Sequence, residues 1–106
     1  MQDDAIKSSE SCDSMAELRL AIDALDRELV RQLARRQAYI ERAAVLKSGR
    51  SAVRDQARVE EVVAKVLAAA RECGLSLEIA EPVWRVLIEQ SIRHELAAFD
   101  AKQAGE

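Results

Sequence analysis

The sequence has 106 residues, 33% of them charged and 49% hydrophobic, with a net charge of −3. That is room for one folded domain and not two, in a soluble balance and not a disordered one. Residues 1–15 hold Asp3, Asp4, Glu10 and Asp13 against Lys7, so residues 16–106 balance at 15 basic and 15 acidic. This excludes the basic excess of a nucleic-acid binder.

Residues 1–14 are Ser-rich, acidic and aperiodic, and read as a disordered tail. They hold no apolar stretch for a signal peptide, and no later segment reads as a membrane span. Cys12 and Cys73 are too few for a disulfide framework and read as reduced thiols. The expected location is the cytoplasm, with no membrane partner.

The first helix is predicted to start after Ser14, an N-cap with Glu17 three residues on, and to run to about Lys47. Leu18, Ile22, Leu25, Leu29, Leu33, Ile40 and Ala43/Ala44 mark its apolar stripe. Ser48, Gly49, Arg50 and Ser51 end it. The second helix is predicted from about Asp55, its N-cap, to Gly74, with a stripe of Val59, Val62, Val63, Val66, Ala69, Ala70 and Cys73. The third is predicted to begin between Ser76 and Pro82, with Pro82 in an early turn. Its stripe is Val83, Trp84, Leu87, Ile88, Ser91, Ile92, Glu95, Leu96 and Phe99, and the chain is expected to fray over 101–106.

The expected fold is therefore all-α, with three helices over residues 15–100, one of them long. A helix of about 33 residues is roughly 50 Å long at 1.5 Å per residue. A compact domain of this size has a radius of gyration of about 13 Å. The long stripe would overshoot such a domain, so an intertwined homodimeric helical bundle is expected.

Several polar residues fall where apolar ones belong. Arg36 interrupts the first stripe, and Lys47, eleven residues on, lies within roughly 20° of the same face. Ser91 and Glu95 are neighbours at i and i+4 on the third helix. The plain alternative for each is a solvated or snorkelling surface residue. Asp55 is most simply a cap, but Arg54 and Arg58 oppose the helix dipole and suggest a nearby anion. His94 reads as a surface residue, and there is no metal-ligand cluster, nucleophile–base pair or Gly-rich phosphate loop. Cations plus one carboxylate in an apolar helical setting suit electrostatic catalysis on a small dianion, with no cofactor.

These motifs resemble the all-helical class of chorismate mutases. The carrying residues are Leu18-Arg19-Leu20-Ala21-Ile22-Asp23-Ala24-Leu25-Asp26, Leu33-Ala34-Arg35-Arg36 and Lys47. They continue with Val53-Arg54-Asp55-Gln56-Ala57-Arg58 and with Leu87-Ile88-Glu89-Gln90-Ser91-Ile92 followed by Glu95. The resemblance covers residues 16–99. It implies rearrangement of chorismate to prephenate, in aromatic amino-acid biosynthesis. It further implies that Arg36 and Arg58 clamp carboxylates, and that Arg19 reaches into the partner's site. Lys47 is similar to the residue that bonds the ether oxygen and a carboxylate. Asp55 is similar to a residue near the substrate hydroxyl, Ser91 to a carboxylate contact, and Glu95 to the second ether-oxygen donor. Arg19 and Arg36 are about 25 Å apart along one helix. They can meet one small substrate only across a dimer.

Two positions depart from that pattern. Val59 stands where many relatives carry a Glu for the substrate hydroxyl, and Glu95 where many carry Gln. A glutamate donates a hydrogen bond only when protonated, so activity is expected to fall as pH rises through its titration. A second family, the isochorismate-pyruvate lyases, shares the fold. Arg35-Arg36-Gln37-Ala38-Tyr39-Ile40 and Arg58-Val59 look closer to it, whereas Val53-Arg54-Asp55 looks mutase-like. A non-catalytic dimerisation module would explain the stripes but not Arg36 and Glu95 within apolar faces.

Overall fold

The structure, a computed structural model, describes residues 6–105. It consists of helices α1 (Met15–Leu46), α2 (Gln56–Cys73) and α3 (Leu77–Ala104), with 3-10 turns at Ser9–Ser11 and Arg50–Ala52. The fold is all-α with three helices, as the periodicity implies, and there is no strand among the described residues. Against the expectation of one long helix, α3, at 28 residues, is nearly as long as the 32-residue α1. Two compact units divide between Ala38 and Tyr39, within α1.

In the first unit, Ser14 Oγ accepts the Glu17 N–H at 3.1 Å, the N-cap bond that the sequence suggests. The return half of the capping box is displaced by one residue. Glu17 Oε1 accepts from the Asp13 N–H at 3.0 Å and from Lys7 Nζ at 2.9 Å. These bonds, with the turn at Ser9–Ser11, place part of the stretch expected as a disordered tail; residues 1–5 of it lie outside the described residues. Along α1, Ile22, Leu25, Leu29 and Leu33 are between 43% and 52% exposed. This middle stretch of the stripe that periodicity assigns to a core is exposed in a single chain.

In the second unit, Ala44, Val53, Val63, Ile88, Ile92 and Phe99 form the core, with Val59, Leu67, Trp84 and Leu96 packed against it. The α1–α2 connection is anchored by Val53, which is buried and donates its N–H to Arg50 O. That anchor fixes where Arg54 and the cap residue Asp55 lead into α2. On α3 the buried face follows the i+4 series Ala80, Trp84, Ile88 and Ile92, then Glu95 and Phe99. Val83, expected on this face, lies one step off the series and is exposed, while Ala80 is buried instead. Ala69 and Cys73 fall off the Val63–Ala70 face of α2 for the same reason.

The helix ends follow local chemistry. Asp55 Oδ1 accepts the Arg58 N–H at 3.1 Å and caps α2. Gly74 closes α2 at φ 79°, the left-handed conformation that glycine adopts without strain. Pro82 lies in the second turn of α3, where its missing N–H costs the helix one bond. α3 runs past the expected fraying point, to Ala104. Its last turn is tied down by Lys102, which donates to the backbone carbonyls of Ala44 and Lys47 at 2.9 and 3.1 Å.

A Cβ at Gly74 would meet nothing within 4 Å, so a substitution there tests backbone strain alone. Gly74→Ala is expected to destabilise by roughly 1–2 kcal/mol. A thermal midpoint measured at fixed protein concentration checks this; an unchanged midpoint would contradict the left-handed cap.

Candidate active site

Of the residues that the sequence singles out, Lys47 and Glu95 come together directly. Lys47 follows the last residue of α1, and its N–H donates to Ala43 O at 3.0 Å. Glu95 stands on the apolar face of α3, 4% exposed, between Ile92 and Phe99. Lys47 Nζ donates to Glu95 Oε2 at 2.6 Å. A carboxylate so enclosed is costly without a counter-charge, and this charge-assisted bond supplies one. The Lys47 side chain remains 31% accessible, so the pair is closed on the glutamate side and open on the lysine side. That is where a small anion could replace or share the ammonium's partner. Ser91 lies one helical turn before Glu95 and is half-buried.

Asp55 and Arg58 sit together at the start of α2, and Asp55's carboxylate does the work of a cap. The Arg58 guanidinium pairs with Glu61 at 2.8 Å, both side chains well exposed. Such a surface pair is worth little and can be exchanged for a ligand carboxylate. Arg54 is a different case. Its fork grips Glu89 on α3 with two bonds, at 3.0 and 2.9 Å. The anion that Arg54's place beside a helix N-terminus suggests is therefore Glu89, a residue of the chain itself. Arg19, exposed, and Arg36, half-buried, are carried by α1 in the unit that ends at Ala38.

Sequence reasoning missed the ion pairs that join α2 to α3. Glu89 also accepts from Arg93 at 3.3 Å, and Arg85 forks onto Glu60 at 3.0 and 3.1 Å while bonding Glu81. The i,i+4 pairs Glu81–Arg85 and Glu89–Arg93 are visible as spacing; the links from α3 to Arg54 and Glu60 are not. Arg54, Arg85 and Glu89 line a cleft of about 210 Å³ together with the apolar Val59, Ile88 and Ile92. Val59 thus belongs to an apolar surface between α2 and α3. His94 is exposed and lies 2.7 Å from a Glu41 oxygen.

The Arg54 fork, with Arg93 adding to it, holds the Glu89 carboxyl at about 2, below the ordinary 4.5. A carboxyl lowered on folding stabilises above its unfolded value, and that contribution is lost as pH falls through the folded one. Glu89→Gln is therefore expected to flatten the acid limb of stability between pH 4.5 and about 2. Thermal midpoints across that range check this; an unchanged acid limb would contradict the pair's role.

Among the described residues, no helix is long and apolar enough to cross a membrane. A family model described as chorismate mutase type II matches residues 18–96. A curated relative, the isochorismate pyruvate lyase of Pseudomonas aeruginosa, is 29% identical over 91 residues, covering 86% of this chain and 90% of the relative. The matched span takes in Arg19, Arg36, Lys47, Asp55, Arg58, Ser91 and Glu95. With most of its helical length inside that match, the chain belongs to the chorismate mutase type II family.

Proposed function

We propose that this protein is a chorismate mutase, converting chorismate to prephenate by an intramolecular Claisen rearrangement in a site shared between two copies of the chain. The observation that carries this reading is the Lys47–Glu95 pair, a cation and a carboxylate set into an apolar helical face at 2.6 Å. Family membership and the residue series from Arg19 to Glu95 support it.

The chemistry asks little beyond charge and shape. One C–O bond breaks and one C–C bond forms within a single molecule, so no nucleophile is required. Arg36, Arg58 and Arg19 of the partner subunit neutralise the two carboxylates and hold the folded, reactive form. Ser91 adds a polar contact, and Asp55, beyond its capping bond, lies toward the substrate hydroxyl. Lys47 and a protonated Glu95 stabilise the charge growing on the ether oxygen. In the substrate-free chain Glu95 accepts from Lys47, so a carboxylic acid must replace the carboxylate before it can donate in turn.

The dimer has its own physical motive. The exposed row Ile22, Leu25, Leu29 and Leu33 would be covered by a second long helix laid alongside. The same arrangement would supply Arg19, which cannot reach Arg36's ligand from its own straight helix. Sedimentation at micromolar concentration is expected to give twice the 11.8 kDa chain mass; a monomer would contradict the shared site.

A second reading has specific support. The relative from Pseudomonas aeruginosa is an isochorismate pyruvate lyase, and Val59 stands where many mutases place a glutamate. The lyase reaction, isochorismate to salicylate and pyruvate, is also pericyclic, and the same cage of cations could serve it.

Incubation with each substrate separately, with products identified by chromatography, decides between them. Prephenate from chorismate is the expected result. Salicylate and pyruvate from isochorismate, with little prephenate, would move the assignment to the lyase. Lys47→Ala is expected to lower kcat roughly a hundred- to a thousandfold, the usual loss for one preorganised donor. Near-normal turnover in the folded variant would overturn Lys47's role.

A further inference from the structure

We propose that Lys102, near the end of α3, is a positioning residue that fixes Lys47 for its work on the substrate, an inference that rests on the function proposed above. The last carbonyls of any α-helix lack partners within it and carry the negative end of its dipole. α1 has no basic residue in its last turn to answer them. The cation comes instead from the far end of the chain. Lys102 Nζ donates to Ala44 O at 2.9 Å, Val45 O at 3.3 Å and Lys47 O at 3.1 Å. An ammonium has three hydrogens, and here three carbonyls take them.

The same ammonium stands 4.4 Å from the ring centroid of Phe99, a buried core residue one turn earlier on α3. The cation is thus held from the ring side by an aromatic face and from the other by the end of α1. Its grip falls on the backbone of Lys47 itself and on Ala44, which is buried in the core. With that backbone fixed, Lys47's side chain needs only its own rotamer to reach Glu95 at 2.6 Å. Both members of the pair are then referred to α3: Glu95 because it belongs to that helix, Lys47 because Lys102 ties it there. Lys102 touches none of the reacting atoms and acts only through Lys47.

Lys102→Met keeps the stem and its cover over Phe99 while removing the ammonium. The test compares kcat and KM for the wild type, Lys102→Met, Lys47→Ala and the double variant, each well below its melting temperature. Amide exchange at residues 44–47 is followed in parallel. Lys102→Met is expected to lower kcat about tenfold or more, with a smaller change in KM, because small displacements of a reacting group are costly. In the Lys47→Ala background the same change is expected to cost about twofold or less, since residues acting through one another are not additive. Exchange at 44–47 is expected to accelerate. Should the Met variant not fold, Lys102→Gln, which keeps an amide donor without the charge, carries the same test. Wild-type kcat in the folded variant, equal losses in both backgrounds, or unchanged exchange would each overturn the inference. A wild type that turns over neither chorismate nor isochorismate would instead count against the proposed function. The clamp would then stand or fall on exchange alone.

Discussion

The constraint around which the second unit is arranged is a carboxylate held in an apolar face and paired with a lysine from another helix. Glu95 occupies a place on α3 that leucine or isoleucine would fill at no electrostatic cost. Its burial makes a partner obligatory, and Lys47, from the end of another helix, donates to it. Three contacts fix the elements around the pair: Val53 pins the connection after α1, Asp55 caps α2, and Lys102 closes the end of α1.

Around this centre the charges fall into two kinds. Arg54 and Arg85 are locked in forked bonds to Glu89 and Glu60 and tie α2 to α3. Arg58 pairs with an exposed neighbour on its own helix, a contact that a ligand carboxylate can displace without disturbing the fold. The distinction separates arginines committed to the architecture from those that the proposed function assigns to a dianionic substrate.

Much of this was legible in the sequence, and the reasons differ by feature. The three helices follow from apolar spacing, and their ends from Ser14, Asp55 and Gly74, whose effects are local. Lys47 and Glu95 stood out as charges on apolar stripes, and the structure joins them. The contacts of Arg54 with Glu89, Arg85 with Glu60 and Lys102 with the end of α1 were not legible, because each joins elements far apart in sequence and no spacing rule reaches that far. Val83 and Ala80 exchanged places for a subtler reason. The stripe read from sequence starts at Val83, after Pro82, whereas α3 begins at Leu77 and its burial follows the i+4 series from Ala80 through Trp84.

The central claim is that the Lys47–Glu95 pair exists for catalysis and is retained at some expense to stability. The most direct measurement is the thermal midpoint and turnover of the double replacement Lys47→Met with Glu95→Met. Well-packed apolar residues in place of a buried pair are often neutral or stabilising. A midpoint equal to or above the wild type's, with turnover lost, is the expected result. A large fall in midpoint, or turnover that survives, would show that the pair belongs to the architecture and that the chemistry lies elsewhere.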